Sequence, residues 1–230
     1  MTANEKRPLP VKAVVIDLDG TLLDTARDLA EAASRMLREL GRPAAEVETI
    51  KGYIGNGIAR LVKRALTGSM DGEPDAALFE RALPLYQKHY ADVLTLHTNP
   101  YPGVKEGLEA LRGAGFRLAC ITNKAEKFTL PLLKEMGLLD FFELVLSGDT
   151  LPKKKPDPLP LRHAAAHFGA KPEEVLLIGD SLNDVQAARA AGCPVFCVPY
   201  GYNRGKDVRE LDPDAVIGNI AEALKLIEKA

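Results

Sequence analysis

Cysteine is scarce: Cys120, Cys193 and Cys197 are the only three in 230 residues. The odd count and the absence of a CxxC pair exclude a disulfide framework and a thiolate zinc site. They place the chain in a reducing compartment, the cytoplasm, and Cys193 and Cys197 read as small core residues beside a short apolar strand. Long apolar runs are missing too. None approaches the roughly 20 residues of a membrane span, and the amino terminus MTANEKRPLP is polar, so neither an anchor nor a signal peptide is expected. An excess of one charge is also lacking, with 30 Lys plus Arg against 32 Asp plus Glu. Such a balance draws the molecule to neither nucleic acid nor an anionic membrane and leaves small molecules as partners. His163 and His167 stand four apart on a predicted helix, but no third ligand accompanies them, and they read as sharing a helix face. No internal repeat or low-complexity tract occurs.

What is present is a chain 46% apolar, long enough for one ordinary domain plus a smaller insertion. Ala13-Val14-Val15-Ile16 has no polar alternation, as expected of a strand buried on both faces of a parallel sheet. Similar strands are predicted at 117–121, 144–147, 175–178 and 194–198, with a weaker one at 215–217, separated mostly by helical patterns. That alternation predicts a doubly wound, Rossmann-like α/β core. Residues 25–96 break the rhythm, with helix-like segments at 28–40, 47–53, 58–66 and 75–91 and no convincing strand. They read as a helical insertion, giving a core of 1–24 and 97–230. Asp24-Thr25 and Asn99-Pro100-Tyr101-Pro102-Gly103 bound it and are the hinge candidates.

In α/β sheets functional groups gather beyond the carboxyl ends of the strands. After the first predicted strand comes Asp17-Leu18-Asp19-Gly20-Thr21, two acids whose turn a glycine permits, suited to a hard cation and substrate oxygens. After the second comes Thr122-Asn123-Lys124, where a hydroxyl and free N–H groups suit anionic oxygens. Ser147-Gly148-Asp149 follows the third, then Lys153-Lys154-Lys155-Pro156; Lys155, its backbone fixed by Pro156, is the ammonium chosen to neutralise a phosphoryl group. Lys153 and Lys154 read as solvated. Val175–Ile178 leads into Gly179-Asp180-Ser181-Leu182-Asn183-Asp184, where Asp180 completes a cation site and Asp184 orients it and Lys155, besides complementing the next helix dipole.

Together DLDGT, TN, KP and GDSLND resemble the haloacid dehalogenase-like phosphatase superfamily over essentially the whole chain. The resemblance implies that Asp17 is the nucleophile and Asp19 the general acid and base. It further implies that Thr122, Asn123 and Lys155 bind the transferring phosphoryl group. Asp17, Asp180 and the main-chain carbonyl of Asp19 would hold Mg2+, with Thr21 and Asp184 in support. Because Asp19 is present, phosphoryl transfer is preferred over halide displacement, and the insertion resembles the family's small C1-type cap. Gly55-Asn56-Gly57 and Val198-Pro199-Tyr200-Gly201-Tyr202-Asn203 resemble the bacterial phosphoglycolate phosphatases within it. A carboxylate on such a substrate needs a cation, for which Arg60, Lys63 and Lys51 are candidates, Arg60 first. The other readings are a phosphatase or mutase for a sugar phosphate, and a regulatory protein without activity. A monomer or homodimer is expected.

Overall fold

The computed structural model describes residues 7–230; residues 1–6, the greater part of the polar amino terminus, lie outside that range. The strands in chain order are β1 (Leu9–Val11), β2 (Ala13–Ile16), β3 (Leu23–Asp24), β4 (Asn99–Pro100), β5 (Arg117–Ile121), β6 (Leu144–Leu146), β7 (Val175–Gly179), β8 (Val195–Cys197), β9 (Ala215–Val216) and β10 (Ile227–Lys229). The helices are α1 (Ala26–Glu39), α2 (Val47–Lys51), α3 (Ile58–Thr67), α4 (Ala76–Val93), α5 (Val104–Gly113), α6 (Glu126–Glu135), α7 (Leu159–His167) and α8 (Leu182–Ala191).

Six strands form one parallel sheet in the order β6-β5-β2-β7-β8-β9. Numbered by appearance within the sheet this is 3-2-1-4-5-6, the doubly wound arrangement whose crevice opens where the order reverses, beside β2. Strand β2 is apolar throughout because both its faces are covered. Val14 and Ile16 join the side packed by α5 and α6, whereas Ala13 and Val15 join the side packed by α7 and α8. All four residues are fully buried, which is why no polar alternation marks the strand.

Helices α1–α4 gather around a cluster of their own. In α1, Ala26, Leu29, Ala30, Ala33, Met36 and Leu37 recur at helical spacing and meet Leu61 and Val62 of α3 and Ala82, Tyr86 and Tyr90 of α4. The two chain segments joining this cluster to the sheet pair with each other: β3 and β4 are antiparallel, Leu23 opposite Pro100 and Asp24 opposite Asn99. The hinge candidates are thus one two-stranded ribbon. Above it the buried carboxylate of Asp28 on α1 accepts from the Thr98 hydroxyl at 2.7 Å, the Thr98 N–H at 2.8 Å and the His97 N–H at 2.9 Å. These bonds fasten the start of α1 to the returning chain.

The parallel β1–β10 pair is the other element the pattern reading missed. Strands of two or three residues carry too few side chains to display a period. All three cysteines are buried and free. His163 and His167 lie exposed on α7, and among the described residues no helix is long and apolar enough to cross a membrane.

Candidate active site

Three neighbouring strands end at one cavity. Asp17 and Asp19 follow β2, Thr122 and Asn123 follow β5, and Asp180 directly follows β7; Lys155 reaches in from the segment after β6. Ile54 and Gly55, from the loop between α2 and α3, close the cavity from above. The Gly55 carbonyl accepts from the Asn123 amide at 2.8 Å and from the Asn183 amide at 3.1 Å, so the helical cluster is tied to the sheet directly over the acids.

The Lys155 ammonium, almost wholly buried, lies 2.8 Å from Asp17 Oδ1 and 2.7 Å from Asp184 Oδ1. Burial pulls its pKa down, but the two carboxylates outweigh burial and hold it above the ordinary lysine range. Asp184 is fully committed: its other oxygen accepts from the Ser181 hydroxyl at 2.6 Å and the Ser181 N–H at 3.1 Å, which caps α8. Burial drives Asp17 up to about 7, with Asp184 adding to the rise and Lys155 opposing it. Asp180, also buried and facing Asp184 and Asp17, is pushed well above the carboxylate range.

Asp180 is held where it stands. Its Oδ1 accepts from the Thr21 hydroxyl at 3.0 Å and its Oδ2 from the Tyr202 N–H. Gly20 and Gly201 pack so closely that a Cβ at either would strike its carboxylate, and Gly20 adopts φ +88°, a left-handed conformation open to glycine. A side chain at Gly20 or Gly201 would therefore displace this acid.

Carboxylate oxygens of Asp17, Asp180 and Asp184 all lie within 4.8 Å of one another. Three buried acids facing one ammonium leave negative charge uncompensated, and the donor set is all oxygen. The residues thus fit a hard divalent cation, which would also reverse the upward shifts of Asp17 and Asp180. Asp184 binds Lys155 and caps α8 behind the cavity wall, whereas Asp17 and Asp180 line the cavity and are the side chains placed to hold a cation. The Asp19 carboxylate is not in this cluster. Its Oδ1 accepts from the Thr25 hydroxyl at 2.6 Å and lies 2.9 Å from the Lys124 ammonium. Any contribution of Asp19 to a cation is through its main-chain carbonyl.

The sequence-predicted residues Asp17, Asp19, Thr122, Asn123, Lys155 and Asp180 line the one cavity, with Thr21 and Asp184 bonded to its walls. Asn123 differs in detail from its expected role. Its amide donates to the Gly55 carbonyl and, at 2.8 Å, to the Lys155 carbonyl, so the donor it can offer an anion is its main-chain N–H. Arg60 is a correction. Its guanidinium is held by Glu73 at 2.6 Å, by the Met70 carbonyl at 2.9 Å and by Asp71 at 3.2 Å, and it does not line the cavity. Lys63 is drawn to the same Glu73 at 2.6 Å, and Lys51 lies over the Tyr202 ring, 5.9 Å from its centre.

Lys153 pairs with Asp157 at the surface, as read. Lys154 corrects its reading as solvated: it is half-buried, its ammonium packed against Gly57. Sequence reasoning assigned no part to Lys124, Asn183 or Tyr202. Lys124 had a signal, adjacency to Thr122-Asn123, but nothing in one dimension said that it turns toward Asp19. The Tyr202 hydroxyl accepts from the Thr25 N–H at 2.7 Å and the Ala26 N–H at 3.0 Å and donates to Asp24 at 2.9 Å, across 178 positions from Asp24.

The fold and site define a class: a hydrolase built on a doubly wound sheet, with acids gathered at the switch point under a helical cover. The chain belongs to the haloacid dehalogenase-like hydrolase family, whose model matches residues 14–198. It is 67% identical over 223 residues to a phosphoglycolate phosphatase of Thiobacillus denitrificans, covering 97% of this chain and 98% of the relative. Identity to a phosphoglycolate phosphatase of Nitrosospira multiformis is 64%, with the same coverage. Among solved structures, a predicted phosphoglycolate phosphatase from Haemophilus somnus superposes with a TM-score of 0.88 at 35% identity, over 94% of this chain and 97% of that one.

Proposed function

We propose that the chain is a magnesium-dependent phosphomonoester hydrolase that converts 2-phosphoglycolate to glycolate and phosphate through a phosphoryl group carried on Asp17. The observation that carries the reading is the placement of Asp17 and Asp19 on one cavity wall in different environments. Asp17 faces Lys155 and Asp180, and Asp19 faces Thr25 and Lys124. Two carboxylates so separated suit two roles. The matches to phosphoglycolate phosphatases over nearly the full chain support the choice of substrate.

Asp17 is fixed for attack on phosphorus, with Oδ1 accepting from the Leu18 N–H at 2.7 Å and meeting Lys155. Lys155, the Thr122 hydroxyl and the Asn123 N–H stabilise the charge that develops on the transferring group. Both contacts to Asp19 engage Oδ1, which leaves Oδ2 to give a proton to the leaving oxygen. The same atom then takes a proton from the water that hydrolyses the acyl phosphate. Asp17, Asp180 and the Asp19 carbonyl would hold magnesium, which would supply charge neutralisation to the phosphoryl group. Residues 25–96 act as a cap over a core of 1–24 and 97–230, excluding bulk water at the Gly55 loop and turning on the β3–β4 ribbon.

The test is a magnesium-dependent activity panel setting 2-phosphoglycolate against sugar phosphates, nucleotides and pyrophosphate. The reading expects the highest kcat/KM for 2-phosphoglycolate; a hexose phosphate turned over more efficiently would replace it.

A further inference from the structure

A second cavity adjoins the first on the far side of Asp19. Leu29, Ile54, Ile58 and Leu61 supply apolar walls, Gly55 and Gly57 supply backbone, and Asp19, Asn123 and Lys124 supply the polar groups. Its free space is small, about 340 Å³ counting the part open to solvent, which suits only a small leaving group. The two cavities share Asp19, Ile54, Gly55 and Asn123. A wider opening also adjoins the first cavity, through Ile54, Ser181, Asn183 and Tyr202, but only the second cavity carries an ester substituent past Asp19, the acid beside the leaving oxygen.

Each cavity is lined by one cation. Lys155 serves the first and is claimed by Asp17 and Asp184. Lys124 serves the second. Only 4% of Lys124 is exposed, and its ammonium lies 2.7 Å from the Tyr90 hydroxyl, to which it donates, and 2.9 Å from Asp19 Oδ1. Tyr90 lies on α4 and is fully buried, its ring centre 4.9 Å from that of Phe128, so the anchor is rigid. An ammonium has three N–H donors. These two partners leave one donor, and Lys124 is the cation that lines this pocket.

Of the cations that sequence spacing offered for a substrate carboxylate, Arg60 and Lys63 are held by Glu73 and Lys51 lies over the Tyr202 ring, and none of the three lines the second cavity. We propose that Lys124 is the specificity-determining residue of this site: its ammonium receives the carboxylate of the substrate's leaving group in the second cavity. This rests on the reading of the chain as a 2-phosphoglycolate phosphatase and names the residue behind that preference. Lys124 stands beside the reacting acid, so a carboxylate bound to it holds the ester oxygen near Asp19. An uncharged substituent in the same pocket gains only apolar contact.

The experiment measures kcat/KM for 2-phosphoglycolate and for ethyl phosphate, which has the same chain length and no carboxylate, in the native enzyme and in Lys124→Met, Lys124→Arg and Lys154→Met. The native enzyme should favour 2-phosphoglycolate. In Lys124→Met the ratio of the two kcat/KM values should collapse by about 10- to 100-fold, the worth of a charge-assisted hydrogen bond, with the loss for 2-phosphoglycolate concentrated in KM. Lys124→Arg should recover part of the ratio, and Lys154→Met should leave it within about threefold. An equal fall for both substrates in Lys124→Met would overturn the proposal, because Lys124 would then act only by positioning Asp19; so would a collapse of the ratio in Lys154→Met instead. A native enzyme without carboxylate preference would overturn the substrate reading as well, which separates the two failures. Should Lys124→Met not fold, Tyr90→Phe replaces it, removing the anchor while keeping the ring. KM for 2-phosphoglycolate must then rise more than KM for ethyl phosphate, and equal changes would overturn the proposal.

Discussion

Lys155 is the residue on which the charge balance of the site turns, since it meets Asp17 and Asp184 at once from a position closed to water. A buried charge is costly to remove from such a set because its partners are left uncompensated. Lys155→Met is expected to lower unfolding free energy by about 3–5 kcal/mol, read as a shift in urea midpoint without added cation, and to impair phosphate release. An unchanged midpoint would mean that Asp17 and Asp184 find other partners. Five motif residues, Asp17, Asp19, Thr122, Lys155 and Asp180, were legible from sequence because each follows a strand within three residues or abuts a proline. Arg60 was not, because spacing places a residue on a helix but does not say that Glu73 and Asp71, on the following loop, turn back to hold it.

The elements divide in the same way. Strands β2, β5 and β7 announce themselves as unbroken apolar runs because both faces of the sheet are packed. The α1–α4 cluster shows in the helical recurrence of its apolar residues. The β3–β4 ribbon is silent in the sequence: pairing Leu23 with Pro100 follows from where α1–α4 begin and end, not from the residues themselves. The loop after β8 is silent too, although it returns Tyr202 to the start of α1. Tyr202→Phe deprives the Thr25 N–H of its acceptor, leaves the Ala26 N–H only Asp24 Oδ1 at 3.3 Å, and should cost about 1–3 kcal/mol. The same change should loosen the ribbon end of α1, seen as faster amide hydrogen exchange at Thr25 and Ala26; unaltered exchange there would remove Tyr202 from the hinge.

For the whole molecule, buried acids facing a single ammonium make the cation-free protein less stable than its loaded form. Binding at a hundredfold excess over Kd adds about 2.7 kcal/mol, which in a chain of this size raises Tm by about 5–10 °C. Magnesium should produce that rise in the native protein and none in Asp180→Asn, while chelation should abolish phosphate release. An equal rise in both proteins would place the cation elsewhere. The doubly wound order brings residues 17, 122, 155 and 180 together across most of the chain, and that convergence is what the account depends on.

The central claim is that Asp17 itself takes the phosphoryl group. The measurement is phosphate release from 2-phosphoglycolate by Asp17→Asn, at saturating magnesium and with the fold verified by circular dichroism. The account predicts a fall of at least about four orders of magnitude in kcat. Release at the native rate would contradict it.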